Sequence, residues 1–192
     1  YANWSYLKNH ASDNGAFRNL ALEWVAYVAG KRESRRLIGD IVLTQNDILR
    51  QVAYDDASVT TSWTIDLHYP DPKNTRFFPG DEFKAVCNQE EIKLYPISYR
   101  CFSSRNVPNL FMTGRNISVT HVALKTVRVM RTTATMGEAV GMATAMCRRY
   151  ETLPRAVSTT CLPEPKSLVE KGCGHRGLPN NQQFNIGCRK NH

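Results

Sequence analysis

A mixed α/β fold of α+β character is what the sequence predicts, and three stretches predict it. "SVTTSWTIDLHY" (58–69) alternates residue by residue, with Val59, Thr61, Trp63, Ile65, Leu67 and Tyr69 on one face. That is the period of a strand with one buried side. "IKLYPISYRCF" (92–102) reads as a second strand, and Pro96 puts it at an edge or a bulge because proline has no amide to donate. The region from about 128 to Tyr150 reads as one long helix.

The other elements follow in chain order. In "GAFRNLALEWVAYVAGK" the apolar residues Phe17, Leu20, Ala21, Trp24 and Val28 recur at helical spacing, and Gly30 is a natural C-cap. Residues 37–43 read as a strand. Thr44 then caps a short helix, with Asp47 three residues on as the reciprocal partner of a capping box. After 58–69 comes a stretch rich in proline, asparagine and charge, "PDPKNTRFFPGDEFKAVCNQEE", long enough to be an insertion or flap. "NLFMTG" is a short apolar strand ending at Gly114, and "SLVEK" is the end of a short helix. The predicted organisation is residues 1–107 as a helix with a mainly antiparallel sheet, 108–150 as a strand-loop-helix, and 151–192 as a C-terminal extension.

Composition narrows the class. At 192 residues, 42% hydrophobic and 22% charged, the chain is that of an ordinary globular protein. No apolar run approaches the ~20 residues of a membrane span. The start at Tyr1 leaves the cellular compartment open. The net charge of +8 comes from dispersed arginines and lysines, with no block of like charge and no aromatic platform, so solvated charges or an anionic small ligand are expected and nucleic acid is not.

Two motifs near the C-terminus need separating from chemistry. "GCGHRG" (172–177) spells the dinucleotide fingerprint, but that turn works only when a strand delivers the glycines and a helix starts on them. Here a helical stretch precedes and a proline-containing turn follows, so Gly172 reads as a helix C-cap. Cys173, His175, Cys188 and His192 have the residue types of a zinc site, yet their spacing repeats no known knuckle, and no metal site is predicted. The six cysteines read as free thiols, with a Cys173–Cys188 disulfide open in an oxidising compartment.

The informative region is 109–147. Gly114 stands where an apolar strand hands over to a loop, as close approach of another molecule requires. In the helix that follows, Gly137, Gly141 and Ala145 recur at steps of four. Each glycine costs about 1 kcal/mol of helix propensity, which points to very close packing against a sheet or ligand. The helix start, at Arg128 to Met130, offers unpaired amides and the positive dipole end, where an anionic group can rest. The same pattern also fits a core helix behind a strand.

These residues resemble a known family. "TGRNISVTHVALKTVRVM" followed by "GEAVG" is similar to the C-terminal flavin-contacting segment of FAD-dependent oxidoreductases of the bacterial, two-dinucleotide-binding-domain type. The likeness extends to "RESRRLIGDIVLTQNDI", "WTIDLHYP", "YPISYRCF", "LPRAV" and "EKGCGHRGLPNNQQFN", and spans most of residues 30–187. It implies the C-terminal part of an FAD/NAD(P)-binding fold with a substrate-side sheet. It lacks the N-terminal Gly-x-Gly-x-x-Gly unit that holds the ADP half, so the chain is expected not to hold FAD alone.

By resemblance, Gly114 and Arg115 lie beside the ribityl–pyrophosphate part of FAD, and the amides of Arg128, Val129 and Met130 face the pyrimidine edge of the flavin. His121, between them, is the acid–base candidate, able to take an alcohol proton as hydride leaves for the flavin. Its other role is a structural histidine. Arg35 and Arg36 clamp an anionic substrate or pair with Glu33 and Asp40, while His68 and Tyr99 read as packing residues of the sheet. The implied function is hydride transfer between an organic substrate and flavin, as part of a longer chain. A non-catalytic binding or assembly module using the cofactor face is the alternative.

Overall fold

The computed structural model describes residues 1–28, 30–70 and 85–161, so the expectations for 71–84 and for 162–192, including "SLVEK", "GCGHRG" and the Cys173–His192 group, lie outside the described residues. The chain divides after Lys31 into two compact units.

The first unit holds α1 (Ala2–Asn9) and α2 (Asn14–Phe17), neither of which buries a residue. Lys8 joins them. Its ammonium donates to the carbonyls of Phe17 and Arg18, both at 2.9 Å, and lies 5.3 Å from the ring centroid of Trp4. A cation at the carbonyl end of α2 is well placed against the exposed acceptors there. The predicted helix over 17–28 is not formed: residues 18–28 contain no helix, and Trp24, Tyr27 and Val28 stand exposed. About three turns of apolar stripe, with nothing in its own unit to pack on, sit at the length where an isolated helix is only marginal in water.

The second unit carries the core. Residues 37–43, predicted as a strand, run extended beside 116–120 but make only one parallel bridge, Leu43 to Val119. Backbone bonds from Leu37 to Asn116 (2.8 Å), Leu43 to Ser118 (3.1 Å) and Thr120 to Leu43 (2.9 Å) hold the two segments together. Between them Gly39 is pressed against the 100–103 backbone. Thr44 then starts α3 (Gln45–Leu49) with the predicted capping box: the Asp47 amide donates to the Thr44 hydroxyl, and the Thr44 amide to the Asp47 carboxylate at 2.8 Å. Thr44→Ala is expected to cost about 1 kcal/mol in urea unfolding, and Thr44→Ser close to nothing.

β1 (Ala57–Thr61) pairs antiparallel with β4 (Tyr95–Ser98), with a bulge at Ser58, and Pro96 lies opposite Thr60 in this two-stranded sheet. β2 (Ile65–Pro70) pairs antiparallel with β3 (Ala85–Glu90) in a second two-stranded sheet. The continuous strand predicted over 58–69 is therefore two strands, broken at 62–64 where Trp63 is exposed. The break is held from the helices. The Thr126 hydroxyl donates to the Trp63 carbonyl, and the hydroxyls of Thr61 and Thr132 lie 2.7 Å apart.

α5 (Met130–Arg149) is the predicted long helix, and α4 (His121–Val127) is a further helix before it, set off by Arg128 and an extended Val129. α5 turns Thr132, Met136, Ala139, Val140, Ala143 and Met146 inward at helical spacing. They meet a core of Val59, Tyr95, Ile97, Tyr99, Phe102, Ile117, Leu124 and Val127. The chain closes over this core with α6 (Pro154–Ala156) and a π-helical turn at Val157–Cys161, and Tyr99 donates its hydroxyl to the Pro154 carbonyl at 2.7 Å. The class is the predicted mixed α/β.

Candidate functional site

Glu33 organises the site. Its Oε1 accepts from His121 Nδ1 at 2.7 Å, its Oε2 accepts from Lys125 Nζ at 2.8 Å, and the Arg36 guanidinium also donates to it. His121 and Lys125 stand four residues apart, so they project from one face of α4. The Lys125 side chain is only 6% exposed, while that of His121 is 52% exposed, which makes the lysine a fixed partner and the imidazole an accessible one. Burial pushes the Glu33 carboxyl up, but the hydrogen bonds from Lys125, His121 and Arg36 outweigh it and hold the group at about 2 against an ordinary 4.5. An ionised carboxylate can only accept, so His121 Nδ1 carries the hydrogen and Nε2 is the basic nitrogen.

This linkage has a direction. A carboxyl depressed on folding contributes stability above its unfolded value, and that contribution is lost as pH falls from about 4.5 to about 2. Acid titration of the chain should show a midpoint of unfolding that shifts when Glu33→Gln removes the titrating group. An unchanged acid limb would count against the cluster.

The segment around Glu33 connects to the turn at Gly114. Asn116 donates its side-chain amide to the Arg35 carbonyl at 2.8 Å, and the Leu37 amide donates to the Asn116 carbonyl. Gly114–Asn116 forms a single 3-10 turn next to the first turn of α5, where a Cβ on Gly114 would lie 3.7 Å from Thr133 Cγ2. Space is therefore ample. The glycine is required because its φ is +71°, a left-handed backbone that side chains strain.

The other predicted residues fall as follows. Arg35 is exposed and takes part through its carbonyl, while the Glu33 contact belongs to Arg36. Asp40 pairs with Arg155 at 2.7 Å. Arg115 is exposed on the Gly114 turn. The Arg128 amide closes α4 by donating to Leu124 at 3.1 Å. The helix-start donors thus begin after Arg128, with the amides of the N-cap Val129 and of Met130, and Val129 provides no side-chain cap. Burial and the neighbouring Arg32 charge both hold Arg128 below the usual guanidinium value. A cleft of about 120 Å³ opens at this helix start, lined by Thr61, Trp63, Leu94, Val129, Arg131 and Thr132, among others. Gly137 and Gly141 have open space where a Cβ would stand, so the close packing predicted for that stripe is not made among the described residues. Lys125 escaped the sequence reading, although its i, i+4 relation to His121 was there to be used.

Mixed helices and small antiparallel sheets, with a glycine turn set against a helix start, make up an α/β fold. The FAD-dependent oxidoreductase family matches residues 2–166, and the chain belongs to it. With the family come FAD dependence and an FAD/NAD(P)-binding type of fold. No curated protein and no solved structure matches the chain. Among the described residues no helix is long and apolar enough to cross a membrane.

Among the described residues, the left-handed Gly114 turn stands beside the first turn of α5, whose N-cap Val129 gives no side-chain cap; a helix start of that kind can take an electron-rich ring edge or a phosphate. No strand–glycine–helix unit for the ADP half occurs among them, and a cleft of about 120 Å³ is below the ~300 Å³ at which cofactor-sized pockets begin.

Proposed function

We propose that the chain is the flavin-end and substrate-side part of an oxidoreductase acting on an organic molecule, with a cationic approach suited to an anionic substrate. The observation that carries this reading is the carboxylate–imidazole pair, Glu33 and His121, tied through Asn116 to the glycine turn. The chemistry that FAD supplies when bound is exchange of a hydride with the substrate. Glu33 orients His121 by accepting from Nδ1, so Nε2 takes the substrate hydroxyl proton as the C–H bond breaks. Lys125 and Arg36 keep Glu33 ionised through that transfer. Gly114, Arg115 and the amides of Val129 and Met130 hold the cofactor, the Arg128 side chain adds positive charge, and exposed Arg35 meets a substrate anion. Residues 1–107 provide the substrate side, 108–150 the cofactor contacts and 151–192 an extension.

The ADP half is held, in this reading, by elements other than those described, and the 192-residue chain alone retains little FAD. The test is anaerobic: FAD-loaded full-length protein is mixed with a panel of alcohols, amines and hydroxy acids, and bleaching of the yellow flavin is followed. A full-length protein that refuses FAD ends the proposal. The second reading, a non-catalytic assembly module, is favoured by the open Gly137–Gly141 face. It takes over if flavin-loaded protein is bleached by dithionite but by no member of the panel.

A further inference from the structure

The β2–β3 hairpin carries a second constellation on its polar face. The register sets His68 opposite Cys87 and Asp66 opposite Gln89, a two-by-two square of side chains. His68 Nε2 lies 2.9 Å from each Asp66 carboxylate oxygen, Cys87 Sγ is 3.4 Å from Asp66 Oδ1, and Sγ is 4.0 Å from His68 Nε2. The donor atoms of all three lie within 4.8 Å of one another.

A thiol–imidazole–carboxylate relay is the first alternative, and the geometry opposes it. A relay needs the carboxylate on one ring nitrogen and the sulfur on the other. Here both face Nε2, so the three groups converge on a point. A tetrahedral zinc ion, with Zn–N and Zn–O near 2.1 Å and Zn–S near 2.3 Å, sets its ligand atoms about 3.3–3.6 Å apart. The observed triangle is within about half an ångström of that size before any ion enters. Its donors, one imidazole, one thiolate and one carboxylate, are the mixed set that suits a borderline cation rather than calcium or magnesium. Gln89 bonds the Asp66 carboxylate from the facing strand, which orients it, and its own amide oxygen or a water can complete four ligands.

We propose that Asp66, His68 and Cys87 bind a zinc ion that clips β2 to β3. The Cys87 thiol proton leaves to solvent as the Zn–S bond forms, with no change of oxidation state. This site is separate from the Glu33–His121 cluster and independent of the flavin reading.

The test is titration of the metal-free, reduced 192-residue chain with Co²⁺. A Cys173→Ser/Cys188→Ser background removes the other group of soft ligands. The expected result is a thiolate-to-cobalt charge-transfer band that saturates at one equivalent and is displaced by Zn²⁺. Adding Cys87→Ser or His68→Ala should weaken binding about 100-fold or more. In the unmutated chain, Zn²⁺ should slow alkylation of Cys87 at least about tenfold, a readout that needs no variant to fold. Absence of the band, a band indifferent to Cys87→Ser, or alkylation unaffected by Zn²⁺ overturns the proposal and leaves a hydrogen-bonded surface trio.

Discussion

His121→Ala in the FAD-loaded protein should slow substrate bleaching of the flavin by about 10²–10⁴-fold, the range that one positioned acid–base group contributes. The reason is the division of labour at Glu33. One oxygen bonds the accessible imidazole and the other a buried ammonium, so the carboxylate is fixed and charged while the ring meets solvent. Glu33→Gln should cost less, because the amide oxygen can still accept the hydrogen bond from Nδ1. A His121→Ala rate within twofold of wild type, with flavin content unchanged, would remove the acid–base role and leave a structural histidine.

Gly39→Ala is expected to be the most damaging single change to the fold, at about 3 kcal/mol in chemical denaturation. An added Cβ would stand 2.2 Å from the Arg100 carbonyl oxygen and 3.1 Å from Ser118 Cβ. The obstacle is backbone, so no rotamer relieves it. Nor can Arg100 withdraw easily. Its amide bonds Asp56 Oδ2 at 3.1 Å, and its guanidinium grips the same buried carboxylate through two bonds of 2.8 and 3.2 Å. Asp56 also accepts from Ser98 at 2.6 Å. The insertion would therefore strain the Arg100–Asp56 pair on one side and the 37–43 crossing on the other. A loss below 1 kcal/mol would mean that the crossing segment slides.

What could be read from the chain was local. The Thr44 capping box, the edge character that Pro96 gives to 95–98 and the alternation within 65–69 depend on neighbours in sequence, and all three appear. What failed depends on partners far away. The 58–69 alternation continues through residues where Thr126 and Thr132 break the strand, and nothing near Trp63 announces them. The apolar stripe of 17–28 has helical spacing without a surface to cover within its unit. Gly39 reads as any loop glycine until the 100–103 backbone arrives beside it. The helix at 128–150 was legible and forms as α5, whereas α4 before it was not, because seven residues are too short a stretch for periodicity to mark. Glu33 was recognised as a partner for either arginine, and only the folded chain selects Arg36. The Asp66–His68–Cys87 triangle divides similarly: Asp66 and His68 are two apart on one strand, whereas Cys87 enters through the cross-strand register.

The Glu33 cluster also has a timing. Its contacts span 88 residues to His121 and 92 to Lys125. Closing so wide a loop is paid in chain entropy before any bond repays it, although each doubling of length adds only about 0.6 kcal/mol. On the ribosome the capping box and α3 can form as they emerge, but the charged pair must wait until α4 has been synthesised. Assembly of the reactive corner therefore reports completion of the surrounding architecture, and a nascent chain stopped before Lys125 carries an incomplete one.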